Sequence, residues 1–334
     1  TDTIGSIAGS GEIKISLGRT LTAGWNNSST TWSGQILGAG GFTKEGSGQL
    51  SISSDNAFNQ LGKTTLKTGT IDFGNTSQVI NNLVVKDDTK VSNGNLSLRK
   101  LMNDGLGSME ILSLSGTSAD DQFTNYGTIK ITTSANINLK EGNDTFLTSS
   151  NLSGTGIVDG GIGDDLIQFG ALDDDIHPFK AAKIADFENA EQIIGSWDYD
   201  GDYKNSGVET MTIKGGKMMI LDTEHAIFEK LVMESGQIVA SLESKNSAPV
   251  TADSFDYQGG SLVIKAADQT DPEGTYMVID APASSQSEMN ELAANSQLIY
   301  DGEIDGFSGI GESNGIQGSA IYDVYLQEGS LQLV

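Results

Sequence analysis

Short runs in which apolar residues alternate with polar ones recur along the chain: "IKIS" from Ile13, "LSIS" from Leu50, "LVVK" from Leu83, "LSLR" from Leu96, "IKIT" from Ile129 and "INLK" from Ile137. A period of two puts every second side chain on one face, so each run predicts a short β-strand with one face buried and one wet. Gly, Asn, Asp and Ser punctuate the runs as turn residues. Helical periodicity is scarce. One segment, "SSQSEMNELAANSQ" from Ser284 to Gln297, predicts a helix with little apolar face.

The runs repeat. Acids placed two residues before an apolar side chain occur at Asp121 with Phe123, Asp144 with Phe146 and Asp165 with Ile167, in steps of 23 and 21. A further step reaches Asp186, where a second series begins at Phe187, Val208 and Phe228, in steps of 21 and 20. Glycine and a short apolar run follow: "GGKMMIL" from Gly215, "SGQIVAS" from Ser235, "GGSLVIK" from Gly259. A repeat of this length holding short strands is one coil of a solenoid, whose strands pair with those above and below at about 4.8 Å. The expected fold is all-β, a right-handed parallel β-helix over residues 1–253. The register loosens after Lys265, and the stretch 254–334 is expected to form a partly antiparallel cap over strand edges that would otherwise stay unpaired.

Between residues 30 and 72 the pattern becomes specific. "SGQILGAGGFTKEGSGQLSISSDN", Ser33 to Asn56, resembles the passenger-associated repeat of bacterial type V autotransporters, and the match reaches upstream into "SIAGSGEIKI". The resemblance implies a β-helical passenger exported across the outer membrane, with the region from about Ser254 similar to the autochaperone segment that precedes the membrane barrel. It implies a route and a fold, not a ligand.

Composition narrows the partners. With 45 Asp plus Glu against 19 Lys plus Arg, the net charge of −26 repels nucleic-acid phosphates and anionic lipid surfaces. Arg19 and Arg99 are the only arginines, so bidentate anion clamps are nearly absent. The lack of cysteine removes disulfides and thiolate chemistry. No apolar run is long enough to span a membrane, and Thr1 opens without a basic and apolar leader, so direct membrane insertion of this stretch is not expected and a secreted form would be a mature fragment.

Four stretches carry candidate chemistry. "GGIGDDLIQ", from Gly160, fits the calcium-binding nonapeptide G-G-x-G-x-D-x-U-x. A related "EGNDTFLTS", from Glu141, lies a whole coil upstream, where a tandem calcium roll would place it directly adjacent. One motif per coil favours a Gly-rich corner that holds a carboxylate outside the coil, and leaves calcium at Asp144 and Asp165 as the alternative. "ALDDDIHPFK", with Asp173, Asp174, Asp175 and His177, reads as a solvated acidic loop or a second cation site. With only His177 and His225 available, no transition-metal shell is expected. Stacked Asp144 and Asp165 could in principle serve glycoside hydrolysis, but no Arg or Lys accompanies them, and the protease "GDSGS" motif is missing. The fourth stretch, "SWDYDGDYKN", reads as a protruding loop whose Trp197, Tyr199 and Tyr203 form a partner contact, or in which Trp197 folds back over a coil. Trp25 and Trp32 add aromatics to the first coils.

The expectation is therefore a non-enzymatic adhesin at the bacterial surface or outside the cell. It binds a host-cell surface protein or glycan, or itself, and needs no cofactor beyond the calcium alternative. Self-association should use the Ser, Thr and Asn of the stretch 1–110 rather than the acidic middle. The competing reading is a released ligand for a host receptor, engaged through residues 196–206; a polysaccharide enzyme comes third.

Overall fold

The structure is a computed structural model of the 334-residue chain. It describes residues 1–58, 62–133, 136–149, 156–173, 175–221, 224–242, 248–267, 276–284, 286–301 and short strands between 303 and 333. Two compact units result, Thr1–Leu166 and Ile167–Val334. Each is a parallel β-solenoid.

In the first unit the chain winds past three walls. One wall stacks Asp2–Ile4, Thr20–Ala23, Gly41–Lys44, Lys63–Leu66, Ser77–Val85, Asn95–Asn103, Gln122–Asn125 and Thr145–Thr148 in parallel register. A second is a six-stranded sheet of Thr30–Trp32, Gln49–Ile52, Gly69–Asp72, Thr89–Ser92, Ser108–Ile111 and Thr128–Ile131. The third is built from Glu12–Lys14 on Gln35–Leu37 and, later, Ser113–Ser115, Ile137–Asn138 and Val158–Asp159. Asn95–Asn103 straddles a corner: its first half pairs with Ser113–Ser115 and its second with Gln122–Asn125. The alternation predicted for the strands is what fills the core. Leu50, Ile52, Leu83, Val85, Leu96, Leu98, Ile129, Ile131, Ile137 and Leu139 are all buried.

Stacked coils put like on like. Phe123 sits over Phe146 with ring centroids 6.2 Å apart. Phe42, Phe58 and Phe73 run edge to face at 5.3 and 5.8 Å. Each such ring removes apolar surface worth about 2–3 kcal/mol.

The second unit has two main walls. Asn189–Ile194, Thr210–Ile213, Ala226–Met233 and Val250–Tyr257 form one. Ile176–Lys180, Ser196–Asp202, Lys217–Ile220, Gln237–Leu242, Ser261–Ala267 and Ser296–Asp301 form the other. Phe187, Val208 and Phe228, the markers of the second sequence series, are buried. Coil length is elastic: Ile80 pairs with Leu98 in a short coil of the first unit, and Leu231 with Phe255 in a longer coil of the second. Surplus residues leave the walls at the corners without disturbing the register.

The run 196–206 is not a protruding loop. Residues Ser196–Asp202 form a strand within the second wall, and Tyr203 heads the turn that follows. Trp197, Tyr199 and Tyr203 point inward and are 1%, 0% and 1% exposed. Alternation decides this: Asp198 and Asp200 take the outward positions and leave the aromatics to the core.

The strand Val250–Tyr257 spans the expected boundary at 253/254 and pairs in parallel on both sides of Asp253. Antiparallel pairs start with Tyr276–Asp280 against Ser330–Leu333 and continue with Val324–Gln327 against Ser330–Leu333. The helix expected between Ser284 and Gln297 is present as Gln286–Ala294.

Candidate functional site

The calcium-like motif lies at a corner of the first unit, and its glycines are there for stacking. Gly161 has φ 102°, a left-handed conformation that L side chains avoid. A Cβ on it would collide with the Lys140 carbonyl oxygen, and one on Gly163 with that of Gly142. The corner is thus glycine-rich because each coil rests its backbone on the coil before it, as the spacing of one motif per coil suggested.

The paired residues that follow form two ladders running in opposite directions. On the outside, the Asn143 amide donates to Asp120 Oδ1 at 3.0 Å, and the Asp164 amide donates to Asn143 Oδ1 at 3.1 Å. On the inside, the Asp121 amide donates forward to Asp144 Oδ1 and the Asp144 amide to Asp165 Oδ1, both at 2.7 Å. The carboxylate outside this corner is Asp164, with Asp120 exposed in the same way two coils earlier, whereas Asp144 and Asp165, the calcium alternative, point inward with Asp121. Asp121, Asp144 and Asp165 are 3%, 1% and 0% exposed. There each of Asp144 and Asp165 accepts the amide of the acid one coil before, so a side-chain oxygen takes the place of a carbonyl as the acceptor.

Burial raises the carboxyls of Asp144 and Asp121. It pushes Asp144 up to about 7, helped by the charges of Asp121, Asp165 and Asp120 and opposed by the Asp121 amide. Burial raises Asp121 as well, against hydrogen bonds from Thr117. Asp144 Oδ2 is buried with no hydrogen-bond partner among the described residues.

Calcium does not fit this arrangement. The ion takes six to eight oxygens, whereas Oδ1 of Asp144 and of Asp165 is committed to an amide. Among the described residues no three His, Cys, Asp or Glu side chains converge as a metal shell. Nor can the stack meet a polymeric substrate, since it is enclosed. The second acidic stretch leads into the wall strand Ile176–Lys180, with Phe179 buried; Asp173, exposed ahead of it, accepts His177 Nε2 at 2.6 Å, and His177 lies against Trp197 at 5.0 Å between centroids. The hydrogen bond from His177 holds the Asp173 carboxyl below its usual range. Asp175 is exposed, and Asp174 lies outside the described residues.

In the second unit Asp198 and Glu224 are close enough to influence each other, and burial raises both carboxyls. Burial, then Asp198, raises Glu224 to about 7.

The aromatic candidates belong to the core. Tyr203 stacks on Phe179 at 5.7 Å and on Phe228 at 5.2 Å, and Trp197 packs on Phe169 at 5.3 Å. Their polar atoms are satisfied inside: Tyr203 Oη donates to the Phe179 carbonyl at 2.6 Å, Tyr199 Oη to Gln192 Oε1 at 3.0 Å, and Trp197 Nε1 to the Ile194 carbonyl at 3.2 Å. Burial drives both tyrosine hydroxyls well above their ordinary range. None is free to touch a partner. Of the early aromatics, Trp32 is buried and Trp25 is 60% exposed.

A surface that sequence reading placed only by region is the outer face of the six-stranded sheet. Register brings Thr31, Ser51, Asp72, Ser92, Glu110 and Lys130 into one outward row. Gln49, Thr70, Lys90, Ser108 and Thr128 form the next. Lys90 Nζ lies 2.9 Å from Glu110 Oε2 and Lys130 Nζ 3.1 Å from Glu110 Oε1, holding the glutamate below its usual range. Gln49 Nε2 donates to Asp72 Oδ2 at 3.1 Å. Two acids and two lysines share the face, which is neutral in a chain of net charge −26. The outward letters of "TKVS", "SMEI" and "TIKI", aligned at the coil period, carry this signal.

No family model, curated protein or solved structure matches the chain.

Proposed function

We propose that this chain is the passenger of a bacterial type V secreted protein, working outside the cell by contact and not by catalysis. In this reading it is an adhesin that binds another copy of itself, or a host-cell surface protein or glycan. A right-handed winding and an antiparallel tail acting as autochaperone cap belong to the same reading. The observation that carries it is the charge-balanced polar face of the first unit. Two copies can bring such faces together without the repulsion that their acidic surroundings impose, and Ser, Thr and Gln rows supply many weak hydrogen bonds whose avidity grows with copy number. The alternative, a released receptor ligand, loses the aromatic contact it relied on, because Trp197, Tyr199 and Tyr203 are core residues.

Beads coated with the purified chain test the reading. Lys90→Glu combined with Lys130→Glu should abolish bead clumping, whereas Lys14→Glu with Lys63→Glu, an equal charge change off this face, should leave it intact. Equal loss in both pairs would sink the assignment of the face. Clumping by neither the natural chain nor any variant, with saturable binding to mammalian cells, would move the contact to a host ligand.

A further inference from the structure

The inner acid stack bonds the backbone of the corner through Oδ1, which leaves Oδ2 of Asp144 with no part in the fold or in the polar face. Three carboxyls occupy an inward stripe otherwise given to Phe123, Phe146 and their neighbours. Asp144 is the middle one, 1% exposed, with Oδ1 on the Asp121 amide and Oδ2 facing no donor among the described residues. A buried carboxylate charge with no donor on one oxygen costs far more than a neutral O–H in the same place, so burial favours the protonated acid. The charges that face Asp144 are acidic. Asp121 and Asp120 face it from the coil before and Asp165 from the coil after, while Arg99 and Lys140 act on Asp121.

We propose that the Asp121–Asp144–Asp165 stack is a proton-operated lock on this corner, closed when Asp144 carries a proton and loosened when Asp144 ionises. The ligand of the site is a proton. The sign follows from linkage. Asp144 is raised to about 7 in the folded chain, against about 3.9 when unfolded, so the native state binds more protons between those values. Stability from this group is full below about pH 4 and is lost as pH rises through 7. The direction is opposite to that of an ordinary salt-bridged aspartate.

The test uses the full chain labelled with 13C-aspartate. The Asp144 side-chain carbon should titrate near neutrality. Amide exchange across 117–125 and 142–148, corrected for the intrinsic base-catalysed rate, should accelerate roughly tenfold between pH 6 and 8.5. Asp144→Asn keeps an acceptor for the Asp121 amide and has no charge to acquire, so its exchange should stay flat over that range. An Asp144 already ionised at pH 5 would overturn the proposal, a result that needs no variant to fold. The same acceleration in Asp144→Asn would overturn it too. So would full protection at pH 8.5 restored by calcium, which would make the ligand a metal ion.

Discussion

At the level of single residues, two consecutive letters do different jobs. Asp164 faces water and Asp165 the interior, and the same division separates Asp120 from Asp121. The glycines before them are fixed by backbone contact, which gives a sharp expectation for Gly163→Ala. The new Cβ would run into the carbonyl oxygen of Gly142, and backbone cannot yield as a flexible side chain would. A loss of about 2–4 kcal/mol in urea unfolding should follow, equal with and without calcium. Destabilisation seen only in calcium would instead mean that the glycine serves a metal loop. The corner was legible from spacing, since a motif that returns once per coil marks a stacking corner and not a calcium roll. The direction of the acids was also there to be read. Asp121, Asp144 and Asp165 each stand two residues before an apolar side chain, and a period of two puts both on the inner face. What spacing could not supply was the amide waiting for Oδ1.

Among the elements, the strand Ser196–Asp202 is the instructive one. Its three aspartates and Gly201 argue for a loop, while W-D-Y-D alternates as cleanly as a core strand. Alternation wins because the aromatics bury far more apolar surface than a loop would let them, which outweighs the partial burial of Asp198 on the other face. The helix Gln286–Ala294 was legible despite its weak apolar face, because polar residues with good helix propensity leave few alternatives. Tryptophan fluorescence separates the environments. Trp197→Phe should remove blue-shifted emission that acrylamide cannot reach, whereas Trp25→Phe should remove the quenchable component. Trp197→Ala should cost about 3–5 kcal/mol. Ready quenching of Trp197 in the folded chain would return it to the surface and restore the loop contact.

For the molecule as a whole, the balance of charge is uneven by face. Placing Lys90, Glu110 and Lys130 side by side needs the coil register, and coil length drifts along the chain, which defeats alignment by a fixed period. That is why sequence reading located self-association in a region and not on a face. The proposal makes salt a discriminating variable. Each copy carries −26, and at 0.01 M salt this charge is felt over a Debye length of about 30 Å, far beyond the contact itself. At 0.15 M the length falls to about 8 Å, which removes most of the global repulsion while leaving close hydrogen bonds between faces largely intact. Between these limits, self-association measured by sedimentation should strengthen about tenfold or more, because the long-range term is the larger one and salt removes it first. Above about 1 M the Lys–Glu contacts are screened in their turn and the gain should level off. A steady weakening from the lowest salt upward would mean that oppositely charged surfaces drive the contact, which a neutral face cannot provide.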